Sequence, residues 1–254
     1  MQFSFFVKAR LNEKGEYPIN LLYKMIRTDI EPTIQEFKSK SNANDRYSSF
    51  DYCYNYFLTA DDLKKDMEKS CLTLGFYLAS WGMFRGSSFI LQKSAKYFEP
   101  TINYISTLDR SFWKIDVDNY NDQNIESIVT IYKEIKERLI LNGNADLTLI
   151  TKILLGVFGF VPAFDNYFTE VFRRISDGQC GFRRVNKHSL GIIKSFYEGN
   201  QSTIDNLSSQ TFTTDFITGE KTTINYPKAK IIDMYGFTIG QRTGSIAQLT
   251  SSSI

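Results

Sequence analysis

Apolar residues recur every three to four positions along most of this chain, and each such stretch predicts a helix. Leu63, Met67, Cys71, Leu74, Leu78 and Trp81 form one stripe behind Thr59-Ala60-Asp61-Asp62, a spacing that suits a capping box. Ile125, Ile128, Tyr132, Ile135 and Leu139 form another, with Asp122 placed to cap it. The polar face of that helix carries Lys133, Glu134, Lys136, Glu137 and Arg138, the pattern of a solvated surface. Ile19, Leu22, Ile26 and Ile30 share a face behind Pro18, and Pro32 is expected to interrupt them. Further helices are predicted over residues 87–105 and 189–207, and behind Pro227 through Ile231, Met234 and Tyr235.

The stretch from Leu147 to Phe158 has no polar face. Leu147, Leu149, Ile150, Ile153, Leu154, Leu155, Val157 and Phe158 cover most of its circumference, which predicts a helix buried at the centre of the fold. Lys152 is the charged residue inside it, so it must reach outward or meet a carboxylate. Gly156, Gly159 and Pro162 end the helix, and Asp165 falls in the first turn of the next, whose apolar positions are Phe164, Phe168, Val171, Phe172 and Ile175. Residues 211–226 alternate around Thr218-Gly219 and predict a small β-hairpin. Residues 108–121 read as irregular, and the Ser/Thr-rich residues 243–254 as a flexible tail. The expected fold is mainly α, over residues 1–242. It is one compact unit or two interleaved lobes sharing a cleft, with residues 60–160 as the central lobe.

Composition narrows the function classes only slightly. The chain has 254 residues, 42% of them hydrophobic and 15% aromatic, enough for one large core. A net charge of +2 neither requires nor excludes a polyanionic partner, so binding to nucleic acid would have to come from local basic clusters. The 3 cysteines, Cys53, Cys71 and Cys180, are scattered, which argues against a disulfide framework and for a reducing cytoplasm. His188 is the single histidine, which excludes a multi-histidine metal site. The apolar start, Met1 to Val7, is too short for a secretory signal, and no apolar run has the length of a membrane span. No metal or cofactor is expected, and nothing in the pattern fixes an oligomeric state.

The candidate chemistry lies in residues 134–175. Asn142-Gly143-Asn144 makes a tight turn between two helices, and Gly143 can adopt a positive φ. Asp146 can cap the second helix, whose free amides would suit one phosphate. A plain αα-hairpin has the same pattern. Asp165 is open to two readings as well. A helix dipole favours an acid at that position whatever its function. Its neighbours Phe164, Tyr167 and Phe168 would also set it in an aromatic cleft.

These residues resemble the helix–hairpin–helix DNA glycosylase superfamily, the group of endonuclease III and the adenine glycosylase MutY. The matching segments are Leu141-Asn142-Gly143-Asn144-Ala145 and Phe164-Asp165-Asn166-Tyr167-Phe168, continued by Val171 and Arg173-Arg174. The family's hairpin proline is replaced by Asn142 and its second glycine by Ala145. Leu147 stands where bifunctional members carry a Schiff-base lysine, and the cysteine spacing of an iron–sulfur cluster is absent. The resemblance therefore implies a monofunctional enzyme, with Asp165 as the catalytic carboxylate, water as the nucleophile and a flipped base of DNA as the substrate. A role in base-excision repair, or in antiviral defence against phage DNA carrying a modified base, fits such an activity. Alternatives are a non-catalytic helical module that binds nucleic acid and one that binds protein.

Two other segments suit a DNA enzyme. Arg173, Arg174, Arg183, Arg184 and Lys187 form the densest basic run, diluted only by Asp177, and read equally as a phosphate-contacting patch or a solvated surface. Between Gly82 and Gly86, Met83-Phe84-Arg85 makes a bend, with Ser87 and Ser88 placed to cap the next helix. Trp81, Phe84, Arg85, Gln92 and Tyr167 are the candidates for a base pocket, although Trp81 also continues a core stripe.

Overall fold

The computed structural model describes residues 30–86, 88–140 and 145–251, with side chains through residue 243. Among them are ten α-helices and one two-stranded antiparallel sheet. The helices are α1 (Ile30–Ser39), α2 (Ser49–Thr59), α3 (Met67–Ser80), α4 (Glu99–Ile105) and α5 (Asp122–Leu139). They continue with α6 (Leu147–Phe158), α7 (Asn166–Ile175), α8 (Lys187–Glu198), α9 (Gln201–Gln210) and α10 (Lys228–Ser251). Strands β1 (Phe212–Thr214) and β2 (Lys221–Asn225) form the hairpin that the alternation predicts. No described helix is long and apolar enough to cross a membrane. The turn at Asn142, Gly143 and Asn144 and the helix behind Pro18 lie outside the described residues.

Helix α6 is the axis of the fold, as its apolar circumference predicts. Every residue from Leu149 to Phe158 is buried, including Thr151 and Lys152. Gly156 allows α3 to approach: a Cβ there would lie 2.3 Å from the Tyr77 ring. Gly159 ends the helix in the left-handed conformation (φ 74°), its N–H donating to the carbonyls of Leu154 and Leu155. Against this axis pack α2 and α3 on one side and α5 on another.

The high aromatic content goes mostly into the core. Phe164, just ahead of α7, stacks in a row with Phe168 and Phe172 of that helix, with centroids 5.6 and 4.2 Å apart, and Phe182 meets all three edge-on. Helix α10 crosses α7 closely because Gly236 and Gly240 face it. A Cβ on Gly240 would sit 2.6 Å from Tyr167 Cβ, and one on Gly236 would sit 2.7 Å from the Phe168 ring. The start of α10 is capped from a distant segment: Asp116 accepts from the amides of Lys228 (2.7 Å) and Ala229 (2.9 Å).

Several expected boundaries move, each for a local reason. Helix α3 starts at Met67, because Asp66 accepts from Lys69 N (3.1 Å) and caps it there, while Asp62 closes a separate turn onto Lys64 N. The predicted helix over residues 87–105 is instead two 3-10 turns followed by α4. Pro100 fits only the first turn of a helix, so α4 begins beside it. Pro32 lies within α1, near its first described residue, and the helix that it is expected to interrupt lies outside the described residues. Residues 189–207 divide at Gly199-Asn200 into α8 and α9. Asn121, not Asp122, caps α5. Asp146 makes no side-chain cap to α6 because its carboxylate is taken by the Tyr132 hydroxyl and Lys136 Nζ, each at 2.7 Å.

Candidate functional site: a cationic cleft around Asp165

Asp165 is the N-cap of α7, accepting from Phe168 N through Oδ1 at 3.0 Å. Its other oxygen, Oδ2, lies 3.3 Å from Lys152 Nζ, so the lysine within α6 meets a carboxylate. The lysine side chain is 5% exposed and the aspartate 16%. Helices α6 and α7 thus bring together, thirteen residues apart in sequence, a buried cation and the acid at a helix N-terminus.

The segment leading to Asp165 is held at Phe160, Ala163 and Phe164. Tyr120 donates its hydroxyl to Phe160 O. Ala163 N donates to Asp233 Oδ1 (3.0 Å) on α10. Phe164 N donates to Thr151 Oγ1 (2.9 Å), and Thr148 Oγ1 donates to Phe164 O (3.0 Å), both on α6. Buried backbone groups in an irregular segment need such partners, and here they also fix where the carboxylate points.

Asp165 and Lys152 line a cleft of about 340 Å³, whose walls come from Trp81, Arg85, Tyr167, Arg46, Phe237 and Gln241. Of the proposed base-pocket residues, Trp81, Arg85 and Tyr167 are therefore gathered around Asp165. Phe84 and Gln92 are not. Phe84 turns inward to Phe98, with centroids 6.3 Å apart, and Gln92 is exposed on a 3-10 turn. Gly82 has φ 75°, and the Arg85 guanidinium would lie 3.1 Å from a Cβ placed there, so the bend folds Arg85 back over the glycine. Gly86 also has positive φ, as the bend requires, while Ser88 makes no side-chain cap and Ser87 lies outside the described residues.

Trp81 is both wall and core. Its ring meets Tyr47 at 5.4 Å and Phe237 at 5.6 Å. Two ammonium groups lie over it, Lys152 Nζ at 5.2 Å and Lys230 Nζ at 4.7 Å from the ring centroid. Lys230 is 1% exposed and pairs with Asp233 at 2.8 Å, the same carboxylate that holds Ala163 N. Trp81 Nε1 is buried and finds no hydrogen-bond partner. Sequence reading missed Lys230, Asp233 and Arg46. The first two stand at i and i+3 in a helix otherwise read from its apolar positions, and Arg46 lies in a polar stretch with no motif.

The basic run lies elsewhere; none of its five residues lines the cleft. Acids from outside the run dilute it more than Asp177 alone. Glu170 pairs with Arg173 (2.8 Å) and with Arg174, and Asp122 pairs with Lys187 (2.8 Å). Arg183 and Arg184 are exposed, with no ion pair among the described residues. Among the described residues no group of His, Cys, Asp and Glu is arranged to hold a metal ion. Comparison with protein-family models, curated proteins and solved structures finds no match to this chain.

Proposed function

We propose that the protein is a monofunctional DNA glycosylase-like enzyme that hydrolyses the N-glycosidic bond of a flipped base. The observation that carries this reading is the place of Asp165: it lines a cleft of about 340 Å³ together with Trp81 and Tyr167, which offer aromatic surface for a base. An ionised carboxylate there stabilises positive charge as it develops on the sugar while the glycosidic bond lengthens. Each carboxylate oxygen has more than one lone-pair direction, so Oδ2 can hold a water while paired with Lys152. That water attacks the sugar carbon, the base departs with the bonding electrons, and a proton from the water completes the balance. Lys152 fixes the Asp165 carboxylate in orientation through its contact with Oδ2.

Exposed Arg183 and Arg184, and the turn at Gly143, are the proposed phosphate contacts. The test is abasic-site formation in duplexes carrying uracil, alkylated, oxidised or glucosylated bases. Activity that is lost in Asp165→Asn supports the reading, and no product from any of these duplexes sinks it.

One observation favours a second reading. Both oxygens of Asp165 already serve the fold, one capping α7 and one pairing with Lys152. A helical module that binds nucleic acid without cutting it would need nothing more. Salt-dependent DNA binding that survives Asp165→Asn, with no base release, is the result that reading expects.

A further inference from the structure

The charges around the cleft say which ligands it can hold. Among the described residues, Arg46, Arg85 and Lys152 line it against a single carboxylate, Asp165. Lys152 is buried, and Asp165 neutralises it only through a 3.3 Å contact. Arg46 and Arg85 are exposed at the mouth, and neither has an ion pair among the described residues. A partly enclosed site with an excess of positive charge focuses its field and attracts anions.

The aromatic wall adds to this bias. A tryptophan face ordinarily attracts cations through its ring quadrupole. Here that attraction is already taken up by Lys152 and Lys230, at 5.2 and 4.7 Å from the centroid. Both ammonium groups are buried, so solvent screens them little. A third cation over the same ring would meet like charge at short range, whereas a neutral or electron-rich ring would not.

We infer that the cleft takes an aromatic base that is neutral or anionic, bound together with its phosphate, and rejects a base carrying a positive charge. This rests on the reading of the cleft as a nucleotide site and adds the charge class of the ligand. Within that class, bases with neutral substituents are substrates and N-alkylated cationic bases are not.

The test is a calorimetric titration of the full chain near neutral pH with methylated nucleotides of matched size. The N6-methyl derivative of adenosine monophosphate is neutral at the base, and the N1-methyl derivative is cationic. The corresponding cytidine pair, N4-methyl and N3-methyl, repeats the comparison on a pyrimidine. The neutral member of at least one pair should bind at least about tenfold more tightly than its cationic isomer. Arg85→Gln, at an exposed position, should narrow that ratio without unfolding the protein. Equal or tighter binding of the cationic isomers, an unchanged ratio in Arg85→Gln, or no binding by either neutral nucleotide overturns the inference. Cleavage of a duplex carrying a cationic base would overturn it while leaving the glycosidic reading intact. Selective nucleotide binding without cleavage of any duplex would do the reverse.

Discussion

Lys152 Nζ stands 3.3 Å from Asp165 Oδ2, in a helix whose other residues from Leu149 onward are apolar apart from Thr151 and Gly156. Removing one member of such a buried pair leaves the other charge uncompensated, which costs far more than the pair is worth. Lys152→Met should therefore destabilise the protein by roughly 3 kcal/mol. The double variant Lys152→Met/Asp165→Asn should recover most of that loss, because asparagine still caps α7 and carries no charge. Denaturant unfolding of the four members of this cycle measures the coupling. Additive losses would mean that the two side chains do not interact.

Gly156 stands against the Tyr77 ring where the axis of the fold is most tightly crossed. A Cβ at 2.3 Å forces either the ring or the helix to move. Gly156→Ala should cost about 1–3 kcal/mol despite the higher helix propensity of alanine. Thermal unfolding reads this directly, and a rise in Tm would contradict the packing described.

Asp51 gives stability a pH dependence. It is 2% exposed and accepts from Thr214 N (2.8 Å) and from the Tyr226 hydroxyl. Burial pushes its carboxyl up to about 6, against the pull of these hydrogen bonds and of Lys230. The folded state thus holds a proton that the unfolded chain releases near its ordinary value of 3.8. The stability it contributes is fully present below that value and is lost as pH rises through about 6, in all about 3 kcal/mol. Half-buried Asp116, also raised to about 6 by burial, acts in the same direction. Chemical denaturation between pH 4 and 6.5 should show stability falling with pH, and Asp51→Asn should flatten the slope. An unchanged slope in that variant would remove Asp51 from this account.

Arg183 and Arg184 are the members of the basic run left unpaired among the described residues. If they contact phosphates, replacing both by alanine should lower the slope of log K against log salt by nearly 2, without altering base preference. The same change in Arg173 or Lys187 should matter less, since those side chains are held by Glu170 and Asp122. Salt titrations of duplex binding compare the two sets.

How much of this was legible in the sequence depends on whether the deciding contact is local. Helix α6 and its ends could be read because an all-round apolar run bounded by Gly159 has one stable solution, and the β-hairpin because alternation and a Thr-Gly turn are local signals. The starts of α3 and α5 moved by a few residues because neighbouring Asp and Asn residues compete to cap the same helix, and only packing decides among them. The site was half legible. Asp165, Trp81, Arg85 and Tyr167 could be picked out one by one, and Lys152 was expected to meet some carboxylate. Phe84 and Gln92 lie outside the cleft, Phe84 because its ring packs on Phe98 and Gln92 because it is exposed on a 3-10 turn, residues 89–92, instead of a helix. Lys230 and Asp233 escaped notice because an i, i+3 ion pair on a helix normally marks the surface, whereas here Lys230 is buried over the rings of Phe37, Phe50 and Trp81 and Asp233 holds Ala163 N.

The central claim is tested most directly by base release from modified duplex DNA, measured for the wild-type chain and for Asp165→Asn side by side. The account predicts abasic sites with the wild type and a loss of at least about a hundredfold in the variant, with its helical spectrum and DNA affinity retained. Base release by Asp165→Asn at the wild-type rate would contradict it.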